Sequence, residues 1–576
     1  MTNTNEKTIC KTSGLLARFK GKGSLDGASK TGFCEITGAE YEHFNGILLS
    51  FRMINYRLPQ NLQLTLSFPK ELLFDEAFAV EDPVCCEDFV LRKLHPVLQQ
   101  YTNSLKRDIN PRSDENRTRG EIQLPSYDNR ILRRSAIRYA DGYFQVSLMC
   151  RMPLMGMTRI CGKLCIRFLK GLLQTVTDWA ERFSAEGLSE ETSVYNDYRE
   201  ILAYLDDHGY CSFIGNGSVI ARGDTEQEPL QGAVPFASPS ENEITIPLGG
   251  GRSITGMALP KGVTVITGGG YSGKTTILDG IESGIYPHIP GDGREYVVTD
   301  HTALKAYAED GRLVNNLNIS PFFKDNFLNQ SVDCFYTDSA SGSVSQASNI
   351  VEGLYAGSKL LLVDEDKSAT NFLTKDALIR AINPNDPIIP FTDRIRELTE
   401  SCGASVIIVV GAISSYFEYA DTLLLVERFK VRNVTDKLPI TRNTDPVSVS
   451  AWTPRRYCEK TDGLSQCFFR TVNTENNRMI ILDHYRADIL PLSAIASTEQ
   501  LNSLACAMEL MLSRTEDFEI REAAEQITGD IVSDDTRPRT GFERMLTAAN
   551  RWYEEIRPID VICCLSRMRG ITLKNA

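Results

Sequence analysis

The chain has 576 residues, 42% of them hydrophobic and 24% charged, a balance ordinary for folded globular proteins and enough for two to four domains. A formal net charge of −13 speaks against a surface that binds nucleic acid throughout. No apolar run approaches the roughly 18–20 residues that cross a bilayer, so no membrane span is expected.

Three regions follow one another. Residues 1–230 read as an N-terminal α+β domain. Its first thirty residues carry six lysines and arginines against Glu6 and Asp26, mildly like a transit segment and equally like an uncleaved basic leader. Gln63–Phe68 and Tyr143–Leu148 alternate as strands do, while Leu164–Phe183 and Val194–His208 have helical apolar spacing. Ser212–Ile220 reads as a hairpin turning at Asn216-Gly217. The 15 cysteines form no C-x-x-C and the six histidines are dispersed, which argues against zinc and for a reducing compartment.

Residues 231–435 hold the motifs. The β-branched run Val263-Thr264-Val265-Ile266-Thr267 reads as a buried strand, and Thr275 to Glu282 as the start of a helix. Between them lies Gly268-Gly269-Gly270-Tyr271-Ser272-Gly273-Lys274-Thr275, a full match to the phosphate-loop pattern. Glycines let the main chain wrap a phosphate chain, and free N–H groups at the helix start point at it. Lys274 is placed for the β- and γ-phosphates of ATP, the Thr275 hydroxyl for Mg2+, and Thr276 follows on the helix. Leu360-Leu361-Leu362-Val363-Asp364-Glu365 is an apolar strand ending in two acids. Asp364 is placed to hold Mg2+, and Glu365, with Lys274, is the catalytic candidate, because a carboxylate one residue further can deprotonate a water. Between these motifs, Ser341-Gly342-Ser343 opens a helix-like stretch and makes a second anion site.

This order resembles the ABC-class ATPases. The blocks Gly256–Thr264, His288–Glu295, Ala308–Arg312 and Asp364–Phe372 are similar to the family described as predicted ATPases of the ABC class. The likeness is strong from about Phe236 to Thr435 and greatest to kinetoplastid mitochondrial members associated with RNA-editing complexes. It implies a P-loop NTPase core of ABC type and a homodimer that sandwiches ATP or ADP. In such a dimer, Ser341-Gly342-Ser343 of one copy meets the γ-phosphate held by the other, and Asp366–Asn371 crosses the interface. It also implies a mitochondrial address, with the cytoplasm as the alternative. Two departures stand out. Gly411 follows the strand Ser405–Val410 where the family has a histidine, and no glutamine occurs around Asn315–Pro321, where Asn318 or Ser320 are the polar groups on offer. Both point to slow hydrolysis. Phe236 is the candidate for stacking on the base.

Residues 436–576 begin loop-like, with strands expected at Gln466–Val472 and Arg478–Asp483, then helices over Thr498–Ile527 and Arg539–Ile556, an α+β and mainly helical region. Tyr101–Gly171 holds 14 basic against six acidic residues, interleaved with aromatics. Arg130, Arg133, Arg134, Arg138 and Arg151 are its candidate contacts with single-stranded or looped RNA, since guanidinium forks suit phosphate. Ion pairing within the acidic remainder of the chain explains the same arginines. The leading expectation is therefore an ATPase that remodels RNA or ribonucleoprotein. A nucleotide-gated scaffold with little hydrolysis and a small-molecule kinase are the alternatives.

Overall fold

The computed structural model describes residues 9–19, 36–37, 39–53, 61–107, 117–118, 120–155, 159–160, 162–225, 227–324, 327–437, 452, 454–459, 472–475, 479–514, 516–531 and 552–575. The chain divides into two compact units: residues 1–127, 132–192 and 532–555 form one, and residues 128–131, 193–531 and 556–576 the other. This differs from the three-region expectation in both boundaries. Within the basic leader, Ile9–Lys11 forms a strand that pairs with Glu40–Glu42 and Thr12–Phe19 a helix; its other residues, residues 466–471 of the strand expected at 466–472 and most of the helix expected at 539–556 lie outside the described residues.

The first unit is built on a seven-stranded sheet. Its strand Asn61–Pro69 pairs antiparallel with Tyr143–Arg151. Alternation decides the faces: Leu62, Leu64, Leu66 and Phe68 are fully buried, while the residues between them are partly exposed. The amphipathic helix Gly162–Glu181 buries Cys165, Phe168, Leu169, Leu172, Leu173 and Val176, and its Trp179 meets Phe68 edge-to-face at 5.1 Å.

The two largest sheets described in the second unit have four and six strands. Glu243–Leu248, Arg252–Pro260, Tyr210–Gly215 and Val297–Thr299 form one in that spatial order, antiparallel throughout. The hairpin expected at Ser212–Ile220 does not form. Its first half pairs instead with Arg252–Pro260 and Val297–Thr299, and Asn216 uses its amide to hold Glu243 and Ser238. Asn216-Gly217 does turn the chain, with the Ser218 N–H donating to the Gly215 carbonyl at 3.2 Å, but long-range pairing takes the strand a hairpin would need.

The other sheet carries the motifs. In chain order its elements are β1 (Val263–Thr267), α1 (Lys274–Ser283), β2 (Leu304–Lys305), α2 (Gly342–Tyr355), β3 (Leu360–Asp364), β4 (Ser405–Val410), β5 (Thr422–Glu427) and β6 (Lys430–Asn433). The strand order is β2-β3-β4-β1-β5-β6, parallel except for β6. Every residue of β3 and β4 is buried, as expected of parallel strands covered on both faces. Val263, Val265, Leu361, Val363, Val406 and Ile408 fall in register on one face and pack with Ile350, Val351 and Leu354 of α2. The carboxyl ends of β1, β3, β4 and β5 therefore meet along one edge, where ligands bind in sheets of this kind.

Most of the described C-terminal residues belong to this second unit, because buried polar groups tie them in. Arg456 is wholly buried, faces Glu352 of α2 and donates to the Asn315 carbonyl at 2.9 Å. Arg567 donates to Glu309 at 2.6 Å and to Asn349 at 2.8 Å, while Asn315 and Asn316 donate to the carbonyls of Ile571 and Leu573. Charges this deep persist only when paired. The helical stretch expected over Thr498–Ile527 forms as two helices, Thr498–Leu512 and Ile520–Ile531.

Candidate functional site

The loop between β1 and α1 has the form its glycines allow. Gly268 and Gly273 stand at φ of +151° and +103°. A methyl group on Gly268 would come 2.2 Å from the Val426 carbonyl oxygen, so no other residue fits there. Lys274 opens α1, and its ammonium donates to the carbonyls of Gly268 and Gly269 at 2.8 Å each, which holds it over the loop. Gly269 and Gly270 are exposed, and Tyr271 projects fully into solvent at φ +58°. Ser272 is buried, and its hydroxyl has no hydrogen-bond partner within the chain. Thr276 lies half-buried in the first turn of α1.

The paired acids lie beside this loop. Thr275 Oγ1 donates to Asp364 Oδ2 at 3.2 Å. Asp364 is 1% exposed. Burial pushes its carboxyl above the ordinary carboxylate range, against the Asp366 N–H and Thr275 hydroxyl that favour its charged form. A hydroxyl and one carboxylate oxygen side by side are the protein ligands that Mg2+ takes in phosphate-loop sites, with phosphate oxygens and water supplying the others. Together with the unpartnered Ser272 hydroxyl, this donor set fits a Mg2+-bound polyphosphate.

Glu365 is held from an unexpected quarter. The N–H groups of Gly411 and Ala412, just past β4, both donate to its Oε2, at 2.5 and 3.1 Å. The position that lacks the family's histidine thus orients the carboxylate through the main chain. A methyl group on Gly411 would stand 4.0 Å from both Glu365 Oε2 and Lys274 Nζ, so the acid and the ammonium flank one small space. Sequence reading missed this clamp because every residue supplies an N–H; its one visible signal was the glycine following β4.

The Ser341-Gly342-Ser343 start of α2 is divided. Ser341 is exposed and makes no side-chain bond to its own helix. Ser343 turns inward, 5% exposed, with its hydroxyl donating to Asn371 at 2.7 Å; it is not presented to a ligand, contrary to expectation. The place expected for the family's γ-phosphate-sensing glutamine, around Asn315–Pro321, also differs. β2 is the strand outside β3, so the segment leaving its carboxyl end is Ala306–Gly311 rather than Asn315–Pro321. Asn318 and Ser320 bond each other in a turn. A glutamine does reach this segment from α2: Gln346 donates to the Ala306 carbonyl and the Ser368 hydroxyl, and accepts from the Ala369 N–H.

The blocks that carried the family likeness have structural work. Asp292 receives Arg222 at 2.8 Å, His288 at 2.7 Å and Asn129 at 2.5 Å, and these donors hold its carboxyl below the usual range despite burial. Arg312 pairs with Glu352 inside the unit. Phe236, the base-stacking candidate, is buried.

The arginine patch is also corrected in part. Arg134 is 4% exposed, bonded to Asp88 and, at 2.6 Å, to Glu554. Arg130 is buried, bonded to Asp128 and at 3.1 Å to Gln500. Neither presents a guanidinium to RNA. Arg133, Arg138 and Arg151 are exposed.

Sheet order, phosphate loop, acid pair and helix start together define the P-loop NTPase fold of ABC type. Residues 184–458 match the P-loop domain described for the ABC_ATPase family, so this part of the chain is similar to the P-loop domain of ABC-class ATPases. An uncharacterized protein of Methanocaldococcus jannaschii is 32% identical over 240 residues, which make up 40% of this chain and 52% of that protein; the chain spans about half the length of the curated relative it matches. Among solved structures, cbiO1 from Clostridium perfringens, part of the ABC transporter complex cbiONQ, is 12% identical with a TM-score of 0.25, over 39% of this chain and 87% of that one. An ATP-binding cassette of an ABC transporter in its ADP conformation is 14% identical with a TM-score of 0.22, over 33% and 86%. Among the described residues no helix is long and apolar enough to cross a membrane.

Proposed function

We propose that this domain binds ATP with Mg2+ and hydrolyses it. The observation that carries the reading is the convergence of Lys274, the Thr275–Asp364 pair and Glu365 on one sheet edge, beside a glycine loop with an unpartnered buried hydroxyl. Lys274 and the loop N–H groups neutralise the phosphates. Thr275 and Asp364 hold the Mg2+, which supplies charge neutralisation on the phosphoryl oxygens. Glu365, with Oε2 fixed by Gly411 and Ala412, keeps Oε1 for the proton of an attacking water.

The exposed, uncapped Ser341 at the start of α2 supports a closed state in which a second copy brings this helix start to the γ-phosphate. Closure on ATP and release after hydrolysis would make the domain a ligand-biased two-state device. An RNA or ribonucleoprotein cargo and a mitochondrial address rest on the family likeness. For RNA, Arg133, Arg138 and Arg151 are the contacts left. The scaffold alternative draws on Gly411, since main-chain N–H groups cannot exchange protons with the γ-phosphate as an imidazole can. Phosphate release by the wild-type chain and by Glu365→Gln decides between them: equal rates would remove Glu365 from catalysis and leave the scaffold.

A further inference from the structure

We propose that Phe429 is the wall on which the base of the bound nucleotide stacks, an assignment that rests on the triphosphate reading above. β5 and β6 are joined by Arg428 and Phe429 alone, between the paired Glu427 and Lys430. Both stand at positive φ, 49° and 65°. Two-residue turns with this backbone favour Asn-Gly, and bulky residues there are outliers that gather at ligand sites.

The turn is fastened to the phosphate loop. The Phe429 N–H donates to the Ser272 carbonyl at 3.1 Å. A methyl group on Gly273 would come 2.9 Å from Phe429 Cδ1, so the ring lies against the last glycine of the loop. Its exposure is nonetheless 59%, which leaves one side open.

Strand order sets the direction. β4 and β3, which carry the Gly411 clamp and the two acids, lie on one side of β1, and β5 lies on the other. Lys274, Thr275, Asp364 and Glu365 therefore claim the terminal phosphates on the β3–β4 side. A nucleotide laid across the loop sends its nucleoside toward the β5–β6 turn, where Phe429 waits. Phe236 offers no open face: it is buried, and its main chain is bonded to Gly217 and Ser218. Stacking on a ring is indifferent to base identity, so ATP and GTP share this contact.

Calorimetric titration of the full chain with ATP, GTP and inorganic tripolyphosphate, each with Mg2+, tests the assignment. Phe429→Gly should weaken ATP and GTP alike by about tenfold and leave tripolyphosphate unchanged, while Phe429→Trp keeps all three. Glycine suits φ 65°, so this variant should melt no lower than the parent, which separates lost stacking from unfolding. Unchanged nucleotide affinity, an equal loss for tripolyphosphate, or a selective nucleotide loss in Tyr271→Ala in place of Phe429→Gly would each overturn it. A wild-type chain that binds neither nucleotide nor tripolyphosphate would instead overturn the triphosphate reading, and this assignment with it.

Discussion

Replacing Glu365 with glutamine separates catalysis from binding in a way the geometry allows few other changes to do. The Glu365 Oε2 accepts two main-chain N–H bonds, from Gly411 and Ala412. A glutamine carbonyl oxygen can take the same two, so the side chain should keep its place. What it loses is the ability to accept a proton. Removing a positioned general base lowers turnover by about 10²–10⁴-fold, or about 2.7–5.4 kcal/mol of transition-state stabilisation. ATP affinity should stay within about twofold, because Lys274, Thr275 and Asp364 are untouched. Steady-state phosphate release gives the first quantity and calorimetric titration the second. A variant that turns over at the parental rate would refute the assignment of Glu365 as base. One that loses ATP binding as well would show that the carboxylate's charge holds the loop together, contrary to the clamp geometry.

Further outcomes are expected elsewhere. Thr275→Val removes the hydroxyl 3.2 Å from Asp364; the Mg2+ needed for half-maximal ATP binding should rise about tenfold, and an unchanged requirement would exclude Thr275 as a ligand. Arg134→Ala leaves the Asp88 and Glu554 carboxylates, each 1% exposed, without their shared guanidinium, and should cost about 3–5 kcal/mol of unfolding free energy by denaturant titration. The triple change of Arg133, Arg138 and Arg151, all exposed, to alanine should move that midpoint less than Arg134→Ala does. If the chain binds single-stranded RNA, the triple variant should lower the salt slope by about two; an intact slope would remove these arginines from the proposal. Glu191 is buried, and burial raises its carboxyl to about 7. Between its ordinary value and pH 7 the folded chain keeps a proton that the unfolded chain releases, so stability falls as pH rises through that window, by about 1.4 kcal/mol per pH unit. Glu191→Gln should flatten this slope in melting curves taken at pH 5 and 7.5; identical slopes would refute the reading.

The sequence by itself determined the phosphate loop, its flanking strand and helix, and the acid-tipped β3. These are short-range features: glycine spacing, β-branched runs and terminal carboxylates act over a few residues, and Thr275 beside Asp364 follows once both ends sit on one sheet edge. The alternation of Gln63–Phe68 was legible for the same reason. What only the tertiary structure decided involves partners far apart in the chain. Arg134 reads as a surface cation until Glu554 is seen beside it. Ser343 reads as an anion-binding hydroxyl until it is seen donating to Asn371. Arg456, Asn315 and Arg567 bind the C-terminal segment into the second unit through bonds that no local pattern announces. The clamp on Glu365 is made of main-chain N–H groups, which every sequence carries everywhere and only a fold can aim.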